Sequence, residues 1–175
     1  MVVYISLGVN CTPRIHIKKM GHSRATGYKT CPFDLCITPF LALKKSLETD
    51  FVHFFEDLRV IPGSNASGNR TLCGDGGLNI TNSYGMLFNH EGSTHSHLFS
   101  KGRNDDEYYI RNDFTEFRNR YETRINNFKE YIRSSNDIIF VFSKYPGIES
   151  DGNVDDICKM FRTRYPFKIF NCLLI

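Results

Sequence analysis

The chain has 175 residues, 41% hydrophobic and 23% charged, with 22 basic against 19 acidic side chains and a net charge of +3. That length suits one domain with its own core, and the composition is that of a globular protein rather than a disordered one. The near-balance of charge argues against a nucleic-acid partner, and no apolar run is long enough for a membrane helix.

The first predicted element is a short strand over the apolar, β-branched run from Val2 to Leu7, left through Gly8. Thr12-Pro13 reads as a hydroxyl cap followed by a helix-starting proline, so a short basic helix is expected from Thr12 to Met20, half-buried through Ile15. His22 to Thr30 is polar loop, and Cys31 to Ile37 an apolar turn with Asp34 embedded in it. Thr38-Pro39 repeats the cap-plus-proline start, with Phe40, Leu41, Leu43 and Leu47 lining a second helix. Asp50 to Val60 reads as a packed aromatic turn, and the Gly-, Asn- and Ser-rich stretch from Ile61 to Asn82 as a surface insertion or hairpin. Ser83 to His90 predicts a strand running to a histidine, the region 92–106 is polar, and Tyr108 to Ile110 reads as a brief strand.

The clearest helix carries Phe114, Phe117, Tyr121, Ile125, Phe128 and Ile132 at helical spacing, with Asp113 as its expected cap. Ile138 to Phe142 is a continuous apolar run, the pattern of a central sheet strand. A helix over Val154 to Arg164, capped by Asn153, and an apolar strand over Phe167 to Ile175 follow. Strand, helix, strand in that order predict a parallel pair joined by a helical crossover. The fold class expected is α/β in a single domain spanning 1–175, with a mixed or mostly parallel central sheet flanked by helices. The chain ends inside an apolar strand, as a C-terminally truncated one would.

Six cysteines at irregular spacing, with a short unflanked N-terminal apolar stretch in place of a signal peptide, point to free thiols in a reducing compartment. Asn-x-Ser/Thr triplets at Asn10, Asn65, Asn69 and Asn79 then carry no glycan. Cys31 and Cys36 lack a matching second pair for zinc, and neither a metal nor a cofactor is expected.

The most informative position is Cys11, where strand gives way to helix. A thiol there sits beside backbone N–H groups and the positive end of the helix dipole, the setting of a nucleophilic cysteine. A half-buried structural cysteine fits the same position. Asn10, beside it, is either an oxyanion donor or a helix cap. His90 is the best-placed base, with Asp34 or Glu91 to orient its ring, while each of the three also has a purely structural reading. Arg120 and Arg124 are one helical turn apart, spaced to clamp a carboxylate or phosphate, or to form a solvated face with Glu116 and Glu122. Gly74-Asp75-Gly76-Gly77 lacks the lysine and strand–helix setting of a phosphate loop.

Three blocks in order, Ser6-Leu7-Gly8-Val9-Asn10-Cys11, Pro32-Phe33-Asp34 and Phe88-Asn89-His90-Glu91, precede an arginine-rich helix and a Phe-Val-Phe strand. Together they resemble a family of papain-like cysteine peptidases of bacteria and large DNA viruses, over most of the chain from Val2 to about Ser143. Two positions depart from the family pattern: Leu35 stands where it has tryptophan, and Glu91 where it has aspartate. The resemblance implies a thiol hydrolase acting on a peptide or isopeptide bond, with Cys11 as nucleophile, His90 as base and Asp34 or Glu91 as third member. It also implies a protein or peptide substrate and a cytoplasmic setting (the host's, were the protein viral), and admits a papain-like α+β core as an alternative fold. Two other readings fit the residues. One is a non-catalytic protein-interaction module. The other is a hydrolase or transferase whose first strand–helix turn holds an anion, with Arg120 and Arg124 converging on Asn10 and Thr12.

Overall fold

Two small sheets share one aromatic core. A computed structural model describes residues 2–62, 78–91, 108–145 and 152–175, and all structural statements below concern these. The first sheet holds β1 (Val2–Ser6), β5 (Asp137–Phe142) and β6 (Ile169–Leu174) in the order β1-β5-β6, all parallel. β5 is central, pairing Val2 with Asp137 on one side and Asp137 with Ile169 on the other. Its unbroken apolar run follows from burial on both faces. Ile138, Phe140 and Phe142 point into the main core, while Val141 packs on the opposite face with Ile17 and Tyr28.

Helix α1 (Thr12–Lys19) covers that second face through Ile17. The crossover helix, here α5 (Val154–Arg164), covers the first through Ile157, Cys158 and Phe161. Phe161 lies 5.1 Å from Phe140 and 5.3 Å from Phe170, ring centre to ring centre. Asn153 caps α5 as expected, its side chain accepting from the Asp155 N–H at 3.0 Å.

The second sheet is antiparallel, in the order β2 (Arg59–Pro62), β3 (Leu78–Thr81) and β4 (Leu87–Phe88). The β2–β3 pairing bears out the hairpin expectation; its connecting stretch, with Cys73 and the Gly74–Gly77 run, lies outside the described residues, as do His95 and His97. The remaining helices are α2 (Phe40–Glu48), a single helical turn α3 (Tyr108–Arg111) and the long α4 (Thr115–Ser134), whose buried residues join the main core. Phe54, Phe88, Phe117 and Tyr121 make the tightest aromatic cluster, with centroid distances from 4.5 to 5.6 Å. Tilted and edge-on rings of this kind add to the area they bury. The architecture is mixed α/β in one domain. No helix among the described residues is long and apolar enough to cross a membrane.

Several local expectations are corrected. Thr12 is the first helical residue rather than the cap: Cys11 holds the cap position, and the Asn10 side chain accepts the Thr12 N–H at 2.9 Å, an Asx turn that outcompetes the hydroxyl. Ile15 is exposed, and Pro13 and Ile17 are the buried residues of α1. Leu41 also faces out. The strand expected over Ser83–His90 shrinks to Leu87–Phe88, because Asn82 organises a turn before it: its side chain donates to the Phe54 carbonyl and accepts from the Met86 N–H. His90 consequently lies in a 3₁₀ turn, Asn89–Glu91. Tyr108–Arg111 is helical, not extended. Phe114, at φ +55, takes the cap position expected for Asp113, and its ring stacks on Tyr109 at 6.2 Å, so aromatic burial outweighs the capping preference.

Candidate active site

The turn carrying Cys11 is held from two sides. Gly8, at φ +83, carries the chain off β1, and a Cβ there would meet Thr38 Cβ at 3.3 Å, so a side chain at this position is crowded as well as strained. The Thr38 N–H donates to the Val9 carbonyl at 2.8 Å. From the other side the Ser143 N–H, just beyond β5, donates to the Gly8 carbonyl at 3.2 Å. Cys11 therefore sits at the carboxyl end of two parallel strands and the start of a helix, where α/β proteins place their ligands. It is partly exposed. Asn10 Oδ1 takes the Thr12 N–H and lies 3.5 Å from Ser143 Oγ.

Two further thiols, Cys31 and Cys36, are of another kind. Cys36 is buried, with its sulfur 3.4 Å from the Pro32 carbonyl and 3.1 Å from Thr38 Oγ1, and burial pushes its pKa up to about 12. Cys11 is near enough to add a small repulsion to the same shift. Burial likewise raises the Cys31 thiol well above its usual range. Buried thiols of this kind are inert.

Asp34 is fully buried, and its partners tie it to α1, the helix that Cys11 precedes. Its carboxylate accepts from the Cys31 N–H at 2.9 Å and from the Tyr28 hydroxyl at 3.1 Å. Arg14, on α1, approaches it to 3.7 Å while stacking on Tyr28 at 3.9 Å. Burial raises the Asp34 pKa to about 6, and the Cys31 N–H and Arg14 act against that rise.

The block around His90 is built on α4. Glu91, 2% exposed, accepts from Arg120 and from the Tyr109 hydroxyl at 3.0 Å, and its other oxygen lies 3.7 Å from Arg124. Burial opposes the Arg120 charge, and Glu91 with Tyr109 overcomes that, holding the guanidinium firmly cationic. Arg124 is itself buried among the apolar residues of α4, with its guanidinium 4.4 Å over the Tyr121 ring. His90, half-buried, faces a cavity of about 630 Å³ together with Leu35, Arg120 and Arg124.

The structure thus separates the sequence candidates into two groups. Cys11 and Asn10 lie on the β1–α1 turn. His90, Glu91, Arg120 and Arg124 line the α4 cavity. The segment 34–38 joins them: Thr38 bonds to Val9, Ile37 pairs with Leu87 of β4 through two hydrogen bonds of 2.8 and 2.9 Å, and Leu35 faces the cavity. Asp34 and Glu91 are paired with Tyr28, Cys31 and Arg14, and with Tyr109, Arg120 and Arg124, and none of these partners is His90. The two arginines converge on Glu91, not on Asn10 and Thr12, so the first strand–helix turn is not the anion site those four residues would have made.

Sequence reasoning missed Tyr109, Arg14, Thr38 and Ser143. Their partners lie far along the chain, although the place of Arg14 one turn after Cys11 was a usable signal. Among the described residues no cluster of His, Cys, Asp and Glu could hold a metal ion.

No curated protein and no solved structure matches the chain. A family model with the description "Putative papain-like cysteine peptidase (DUF1796)" matches residues 2–146, and by that match across most of its length the chain belongs to this family.

Proposed function

We propose that the protein is a cysteine hydrolase that cleaves a peptide or isopeptide bond with Cys11 as nucleophile and His90 as general base. The observation that carries this reading is the contrast among the thiols: Cys11 is partly exposed at the strand–helix turn, whereas Cys31 and Cys36 are buried and held protonated. The His90 imidazole takes the Cys11 proton as the sulfur attacks the substrate carbonyl. Asn10 Oδ1 is occupied by Thr12, which leaves the amide NH₂ as the end that meets the developing oxyanion, beside the Cys11 N–H. Collapse of the tetrahedral intermediate breaks the C–N bond, and the imidazolium gives its proton to the departing amine. Water, deprotonated by His90, then hydrolyses the thioester and returns the thiol. Asp34 and Glu91 serve as framework, Asp34 beneath α1 and Glu91 beside the histidine.

The test is turnover of a panel of peptide and ubiquitin-type amide substrates by the wild type and by Cys11→Ser. The substitution is expected to lower kcat/KM on the order of 10⁴-fold while leaving thermal unfolding unchanged. Equal cleavage by both proteins would refute the assignment of Cys11, and no cleavage by either would favour an interaction module.

A further inference from the structure

The α4 cavity is electropositive in a way that Glu91 does not exhaust. Among the described residues four cations line it, Arg24, Lys29, Arg120 and Arg124, around one carboxylate. Arg24 and Lys29 are exposed at its edge, and Arg124 forms part of the buried wall. Lys29 pairs with Glu130 outside the cavity, whereas among the described residues the Arg24 guanidinium meets a neutral partner, the Thr30 hydroxyl, at 3.2 to 3.3 Å. Arg124 is 8% exposed, and its Nη1 has no hydrogen-bond acceptor, Glu91 Oε1 standing 3.7 Å away. A buried guanidinium N–H without an acceptor is costly, and an oxyanion that reached it would remove that cost. Thr123 and Asn127 extend the polar wall.

We propose that this cavity is a specificity subsite for a carboxylate side chain of the substrate, so that the protein selects peptides with Glu or Asp next to the bond it cleaves. This rests on the hydrolase reading above, because it is His90, facing the same cavity, that places the subsite beside the scissile bond. The carboxylate enters past Arg24 and sits against Arg120 and Arg124. Arginine suits this task because its planar fork meets both carboxylate oxygens at once.

The test is a titration of the Cys11→Ser protein, which keeps the cavity lining intact, with N-acetylglutamate amide and N-acetylglutamine amide. Binding is followed by NMR of the Thr30, Thr123 and Asn127 backbone amides. The glutamate compound should bind saturably and move these signals, with the glutamine compound at least about tenfold weaker. In the same background Arg124→Gln should abolish the preference. Arg24→Gln, an exposed change that leaves the fold untouched, should reduce it about threefold. Equal affinities, shifts that map elsewhere, or a preference untouched by both variants would overturn the subsite. So would inorganic phosphate competing as strongly as the glutamate compound. The two readings fail separately. A glutamate preference without peptide cleavage by the wild type refutes the hydrolase and spares the anion site. Cleavage of neutral peptides as fast as acidic ones refutes the subsite and spares the hydrolase.

Discussion

The Cys11 turn and the Glu91 cluster are held in place by different forces. The first hangs from backbone: Gly8 and Val9 carbonyls are tied to Ser143 and Thr38, and the strands behind them are packed by Phe140, Phe161 and Phe170. The second hangs from side-chain charge, with one buried carboxylate shared between two arginines and a tyrosine. Apolar packing is non-directional and degrades gradually, whereas a buried charge that loses its partner is left with its full desolvation cost. The proposed site straddles this boundary, with Cys11 on the backbone-tied side and His90 on the charged side.

The largest effect should separate the two regions. Glu91→Ala leaves Arg124 buried without its ion-pair partner and is expected to destabilise by about 3–5 kcal/mol. Replacing Glu91 and Arg124 together by Met should recover part of that loss, since the most buried pair of charges leaves at once while Arg120, 20% exposed, loses Glu91 but can turn toward solvent. In the sheet region Phe140→Ala should cost a similar amount, about 3–5 kcal/mol, through the cavity it opens. No partner substitution at Phe161 should restore that loss. Urea unfolding of the singles and of the double variant measures both. A Glu91→Met/Arg124→Met protein no more stable than Glu91→Ala would erase the distinction.

A smaller effect comes from Asp34. Its folded pKa of about 6 lies above the unfolded carboxylate value of about 3.9, so its contribution to stability is complete below pH ~4. That contribution is lost as pH rises toward 6, because the unfolded chain ionises first. Relative to Asp34→Asn, the wild type should therefore lose on the order of 2 kcal/mol between pH 4 and pH 7. Unfolding curves at pH 4, 5.5 and 7 for both proteins read this directly; a constant difference would contradict the buried, partly paired carboxylate described here.

What could be read from the chain follows the same division. β5 and α4 were legible because Ile138–Phe142 and the Phe117, Tyr121, Ile125, Phe128, Ile132 series are local patterns set by burial. The Cys11 turn was legible in place, though its cap was misassigned, since Asn10 and Thr12 offer competing oxygens two residues apart. The His90 turn was not, because its geometry depends on Asn82, Tyr109 and α4, far apart in sequence. One signal there was readable: Arg124 falls between Tyr121 and Phe128 on the apolar stripe of α4, and an arginine on such a stripe needs a buried partner.

The central claim is that Cys11 is the accessible, base-assisted thiol. Its most direct test is timed alkylation of the native protein with iodoacetamide, mapped by mass spectrometry over Cys11, Cys31, Cys36, Cys158 and Cys172, in the wild type and in His90→Ala. The account predicts that Cys11 is modified first, well ahead of Cys31 and Cys36, and that it slows markedly when His90 is removed. Modification of Cys11 no faster than Cys36, or at a rate indifferent to His90, would contradict it.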